Sequence, residues 1–357
     1  MRLHFLDNLK VALISLVVVH HAGQAYGPTD YWPIRSDEQI TLLGPFFEIN
    51  GAFFMGLFFL ISAFFLPGSV DRKGVGSAVK ERLMRLGIPL LFMTLVVFGP
   101  LTYLVDDVDS SFWRYMLFDY LGAGDLELAH LWFVSLLLFF SLCYLLFRLL
   151  PSNLRPSTPE APAESPSNLL MVGLIVVLLS TNALIRTWFP VGVWVDLLPI
   201  LPVEIGRLPQ YAIMFTLGLI ACRRGWLTAM PLAQAVLWFL LGLLAAASAL
   251  VSLLTDILPP SIWLLQEAVI GVAWCLSLPV LARELWRRSN ALTRRLSDDA
   301  FAVYLIHIIV IYVLQEGFEA TDLSVGLRFA LVSLLGLLIS FLLADLLRRI
   351  PGLRSYL

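Results

Sequence analysis

Residues 6–26, LDNLKVALISLVVVHHAGQAY, read as a membrane helix with an ionisable group in its interior. Asp7 and Asn8 form a polar cap, Lys10 stands near the start, and His21 lies deep in a run that is otherwise apolar. His21 follows Lys10 by eleven residues, so at about 1.5 Å of rise per residue it is about 16 Å further in. Against a hydrocarbon layer of roughly 30 Å this predicts a position close to mid-membrane. An imidazole is costly to keep there, which makes His21 the first candidate for a functional group.

The remaining composition agrees with a membrane environment. Hydrophobic residues make up 59% of the chain and charged residues only 14%, with a mean hydropathy of +0.85, far more apolar than a soluble domain. A formal charge of −2 excludes the basic excess of a nucleic-acid binder. Cys143, Cys222 and Cys275 are widely spaced in or beside apolar runs, giving neither a metal pattern nor an even disulfide set, and are expected as small core residues. The first helix has no small-residue cleavage site and is expected to be retained.

Apolar runs of spanning length recur at about residues 8–26, 46–66, 87–105, 130–149, 169–188, 208–222, 232–254, 262–282, 300–316 and 325–346. They predict an all-α polytopic protein of about ten transmembrane helices. With the N-terminus inside, one face collects Arg2, Lys10, the cluster from Arg72 to Arg85, Arg148, Arg155, Arg223, Arg224, the cluster from Arg283 to Arg295, Arg348, Arg349 and Arg354. Only Arg35, Arg114, Arg186, Arg207 and Arg328 fall on the other, a division of 19 to 5 among the 24 basic residues. By the positive-inside rule the arginine-rich face is cytoplasmic and holds both termini.

The loop after the third run carries Asp106, Asp107, Asp109, Asp119, Asp125 and Glu127 around an aromatic patch, Phe112, Trp113 and Tyr115. It reads as an interfacial helix or as a lid over an outward site. Residues 151–168, PSNLRPSTPEAPAESPSN, lack bulky apolar side chains and are expected as a disordered cytoplasmic linker within a single domain, 1–357. No internal repeat and no pair of Gly/Pro-broken helices marks a transporter.

Arg82 and Arg85 lie three apart, on one helix face where the chain re-enters the membrane. Two guanidiniums so placed can hold a phosphate-bearing ligand, or simply snorkel to lipid phosphates. Gly74 and Gly76 make only a turn, and no glycine-rich phosphate loop occurs.

Several short segments, in order, resemble the membrane-bound acyltransferase-3 family. Lys10 and His21 match its basic-x10-His pattern, and Arg82-Leu83-Met84-Arg85 its RxxR motif. Phe53 to Phe65, FFMGLFFLISAFF, is similar to FFxLSGF, with Ala63 where glycine is usual, which bears on close helix packing there. His130-Leu131-Trp132-Phe133 is similar to HLWFL, and Tyr304-Leu305-Ile306-His307 to a late YLIH element.

The resemblance implies transfer of an acyl group, usually acetyl from acetyl-CoA, to a hydroxyl of a carbohydrate or lipid-linked envelope molecule, in a bacterial inner membrane and without a resident cofactor or metal. Lys10, Arg82 and Arg85 would face the acyl-CoA donor, His21 would act on the acceptor hydroxyl, and His130 and Trp132 would lie on the acceptor side. Burial favours the neutral imidazole, the form that accepts a proton; a covalent acyl-imidazole is the alternative route. Adjacent helical residues point about 100° apart, so His20 and His21 cannot share one site. The family spacing selects His21, leaving His20 to bond a neighbouring carbonyl. Glu48 is the candidate carboxylate partner for an imidazole, while His307, Glu267 and Glu316 carry no assigned role. A proton-coupled secondary transporter or exporter is the competing reading, since buried His and Glu can also form a proton pathway.

Overall fold

The computed structural model describes residues 3–29, 32–105, 108–124, 126–150, 163–255 and 257–357. Ten helices in it are long and apolar enough to cross a membrane: α1 His4–Gln24, α2 Leu43–Lys73, α3 Val75–Val105, α4 Ala129–Phe147, α5 Asn168–Ile185, α6 Ile205–Arg224, α7 Leu232–Leu254, α8 Ile262–Leu285, α9 Ala291–Glu319 and α10 Val325–Arg348. The protein is thus an all-α, multi-pass integral membrane protein. The one sheet among the described residues is a hairpin, β1 Trp194–Leu198 and β2 Leu201–Glu204, not anticipated from the sequence.

α2 and α8 are the most buried spans; α5, α7 and α10 turn most of their surface outward, with exposed leucines such as Leu169, Leu244 and Leu334. In lipid such side chains need no cover, so the bundle's outside is as apolar as its core. α1 packs against α9, α10 and α8; α6 lies along the second half of α2; α7 pairs with α8 and α9 with α10. At the α2–α6 contact a Cβ on Gly218 would stand 2.2 Å from the carbonyl oxygen of Leu60 and 2.8 Å from Cβ of Ala63. The close approach therefore survives Ala63 because the glycine sits on the facing helix.

Two spans are irregular for identifiable reasons. α2 breaks at Ala52 and Phe53, and the freed Ala52 carbonyl accepts 2.6 Å from Nε2 of Gln210. Gly271 permits the approach of α8, since a Cβ there would lie 2.8 Å from the same oxygen. In α3 the turns at Leu83–Gly87 and Met93–Phe98 widen to π geometry, just before Pro89 and shortly before Pro100. A proline has no N–H for the carbonyl four residues back, and the wider turns take up that mismatch.

The ends of the helices sort by charge. Asp71 pairs with Arg148 at 2.9 Å and also with Arg223, tying α2, α4 and α6; Arg348 pairs with Asp299 at 2.6 Å, tying α10 to α9. Asn8 donates to the carbonyls of Trp286 and Arg288 at 3.1 and 3.2 Å, fastening α1 to the turn between α8 and α9. The start of α1 and the end of α10 therefore share the arginine-rich face. Of the linker expected over 151–168, residues 151–162 lie outside the described residues, but 163–168 are ordered against α6 and α7. Glu164 N–H donates to Arg224 O at 3.0 Å, Ser165 to Gln234 at 2.6 Å, and Ser167 caps α5. Asp106, Asp107, Asp125, Arg2 and Arg155 also lie outside the described residues. The acidic loop's aromatic patch forms short helical turns at Phe112–Arg114 and Tyr115–Tyr120. The phenol of Tyr120 is buried and donates to Thr94 O at 2.8 Å, and burial raises its pKa. Of the cysteines only Cys275 is a core residue; Cys143 faces outward and Cys222 is half-buried.

Candidate active site

α1 begins at His4, so Asp7 lies in its first turn rather than capping it, and His21 falls in its last turn. α1 ends at Gln24, and His21 meets His307, which stands near the middle of the 29-residue α9. The chain after α1 turns back over this end. Trp32 places its ring 5.8 Å from that of His21 and donates 2.9 Å to Oε1 of Gln315, whose Nε2 reaches Ala22 O at 3.1 Å. One glutamine on α9 thus holds both the helix end and the covering segment.

Three imidazoles meet beneath this cover. Nδ1 of His21 is 2.9 Å from Val17 O and 3.2 Å from Nε2 of His307. Nδ1 of His307 is 2.7 Å from Tyr304 O, and the same carbonyl receives Nε2 of His130 at 2.7 Å. Ring centroids are 5.0 Å apart for His21 and His307, 4.7 Å for His130 and His307, and 6.3 Å for His21 and His130. His307 and His130 are buried and His21 is half-buried. The Tyr304 hydroxyl donates to His130 O, closing a two-way link between α9 and the start of α4. His130 is presented by a backbone under tension: Ala129 has φ 44°, the one positive φ outside glycine among the described residues. Its N–H donates 2.5 Å to the Glu127 carboxylate. No group of His, Cys, Asp and Glu among the described residues is arranged to hold a metal ion.

The other sequence candidates divide among three places. His20 packs among Phe46, Phe47 and Phe54, its ring edge-on to that of His21 with centroids 5.5 Å apart, and its Nδ1 is unpartnered rather than bonded to a carbonyl. Glu48 contacts no imidazole; its Oε2 lies 3.3 Å from Arg207. That arginine belongs to a buried charge network with no counterpart in the sequence reading. Glu267 accepts from Arg186 at 2.6 and 2.9 Å and from Arg207 at 3.2 Å, and Glu204 lies 3.5 Å from Arg207. Glu316 is exposed. Trp132 packs on Tyr211 and Trp194, on a different face of the chain from His130. On the arginine-rich face Lys10 lies 3.5 Å from Asp7 and over the ring of Phe65. Arg82 is half-buried and Arg85 exposed, and neither has an ion pair among the described residues.

The structure is thus a helical membrane bundle with imidazoles gathered in its interior. The family model described as an acyltransferase domain matches residues 3–347, and the chain belongs to the acyltransferase-3 family of membrane acyltransferases. It is similar to the glucans biosynthesis protein C of Escherichia coli O6:K15:H31 (strain 536 / UPEC) and of Escherichia coli (strain K12), 31% identical to each over 163 residues. Each alignment covers 44% of this chain and 42% of the relative, so the chain spans less than half the length of these curated relatives. No solved structure matches the chain significantly. Family membership gives no support to the transporter reading.

Proposed function

We propose that this protein transfers an acyl group, acetyl in the simplest case, from acyl-CoA to a hydroxyl of a cell-envelope carbohydrate, and that it does so in the bacterial inner membrane. The observation that carries the reading is His21, held by Val17 O and His307 inside the bundle of an acyltransferase-3 family member. The positive-inside rule makes the arginine-rich face cytoplasmic, with both termini there. Arg82 and Arg85 stand on that side without ion pairs among the described residues, and their guanidiniums suit the phosphates of coenzyme A. Lys10 adds a positive charge to the same face. A carbohydrate acceptor is favoured by the similarity to the glucans biosynthesis proteins C.

In this reading the His21 imidazole accepts the acceptor's hydroxyl proton as the oxygen attacks the thioester carbonyl. Glu48 takes no part at the imidazole and instead offsets Arg207. The test uses purified protein in lipid nanodiscs with radiolabelled acetyl-CoA and short glucan oligosaccharides. It is paired with mass spectrometry of envelope glycans from cells with and without the gene. His21→Ala should reduce transfer by about 10²-fold or more, and Arg82→Ala with Arg85→Ala should raise the KM for acetyl-CoA in a salt-dependent way. Undiminished transfer by His21→Ala would refute the reading.

A further inference from the structure

The contacts of the two paired imidazoles determine where their protons sit. Nδ1 of His307 faces only carbonyls, Tyr304 O at 2.7 Å and Val303 O at 3.2 Å, so it must carry its hydrogen and leave Nε2 as a lone pair. That lone pair is 3.2 Å from Nδ1 of His21. Nδ1 of His21 in turn faces Val17 O at 2.9 Å, so it too is an N–H, now shared between a carbonyl and the His307 lone pair. Nε2 of His21 has no hydrogen-bond partner among the described residues and is left as the basic atom. We propose that His307 is the positioning partner of His21, filling with a neutral imidazole the place that a carboxylate holds in a catalytic triad, and that it takes up a proton during acyl transfer.

The inference rests on the acyltransfer reading, and its steps balance as follows. The acceptor oxygen forms a bond to the thioester carbonyl carbon while its proton passes to Nε2 of His21. The Nδ1 proton of His21 shifts to Nε2 of His307, so the positive charge rests on the second ring. The C–S bond then breaks, the coenzyme A thiolate takes the proton from Nε2 of His21, and the shared proton returns to Nδ1. A carboxylate partner would stay charged throughout. A neutral imidazole adds no charge to the apolar interior before the reaction and can accept the proton when it arrives.

Two measurements test this. The first is ¹⁵N NMR of histidine-labelled protein in nanodiscs, with signals assigned by their loss in His21→Ala and His307→Leu. Both rings should be neutral with hydrogen on Nδ1, and a His21 signal with hydrogen on Nε2 overturns the proposal without reference to activity. The second is single-turnover acetyl transfer to glucan oligosaccharides. His307→Gln keeps an acceptor for the His21 N–H but cannot take a proton, whereas His307→Leu removes the acceptor. The rate should fall about tenfold in the first and about a hundredfold in the second, with the KM for acetyl-CoA changed less than twofold. Plotted against solvent deuterium fraction, the wild-type rate should bow, as for two protons in motion, and the His307→Gln rate should run straight. A straight wild-type plot, or wild-type rates in both variants while His21→Ala is inactive, overturns the His307 assignment alone. An active His21→Ala removes the acyltransfer reading beneath it.

Discussion

Replacing Glu267 with glutamine keeps the side chain's volume and removes a charge that joins α5, α6 and α8. Glu267 is 1% exposed and accepts from both Arg186 and Arg207. Two unit charges in contact attract by about 5 kcal/mol at an effective dielectric constant of about 20, and breaking a buried pair typically costs about 3–5 kcal/mol. Arg207 keeps Glu48 and Glu204 as partners, so the loss falls mainly on Arg186, whose other bond is to Gly206 O. The expected destabilisation is therefore near the lower end, about 3 kcal/mol. Followed by tryptophan fluorescence in nanodiscs, Glu267→Gln should lower the Tm by about 6 °C, taking about 2 °C per kcal/mol for a chain of this size. A cycle with Arg186→Gln should return a coupling of at least about 1.5 kcal/mol. Additive single effects, or a Tm within 1 °C of wild type, would refute the view that this pair pins the three helices.

Two further expectations separate packing from chemistry. His20→Phe should leave acetyl transfer within about threefold and the Tm unchanged or raised, because the new ring meets Phe46, Phe47 and Phe54 and an unpartnered buried nitrogen disappears. A loss comparable to that of His21→Ala would show that the wrong histidine has been chosen. Ala129→Gly should stabilise the fold by about 0.5–1 kcal/mol, since relief of the left-handed backbone outweighs glycine's added unfolded-state freedom. A lower unfolding midpoint would show that the Glu127 contact already relieves Ala129.

The chain by itself determined the number of spans, their order and the face on which the arginines collect. Those properties follow from the length of apolar runs and the placement of charge, both local along the sequence. Lys10, His21 and the Arg82–Arg85 pair were recognisable for the same reason, as short patterns within or beside one helix. The hairpin after α5 was missed because WVDLLPILPVE is as apolar as its surroundings, and only a pairing register tells a strand from a loop. The break in α2 carries no proline and depends on Gln210 and Gly271, 158 and 219 positions away from Ala52.

Only the tertiary structure decided which groups meet. His307 lies 286 residues from His21 and is marked in the sequence only as the end of the YLIH element, without a role, yet the packing of α1 on α9 sets their nitrogens 3.2 Å apart. The charge pattern puts Arg207 on the arginine-poor face, and only the packing shows it buried there among carboxylates from three separate segments. A helical period fixes which residues share a face of one helix but says nothing of which face of another will oppose it. That choice belongs to the packing of all ten spans at once, and with it came the partner of His21.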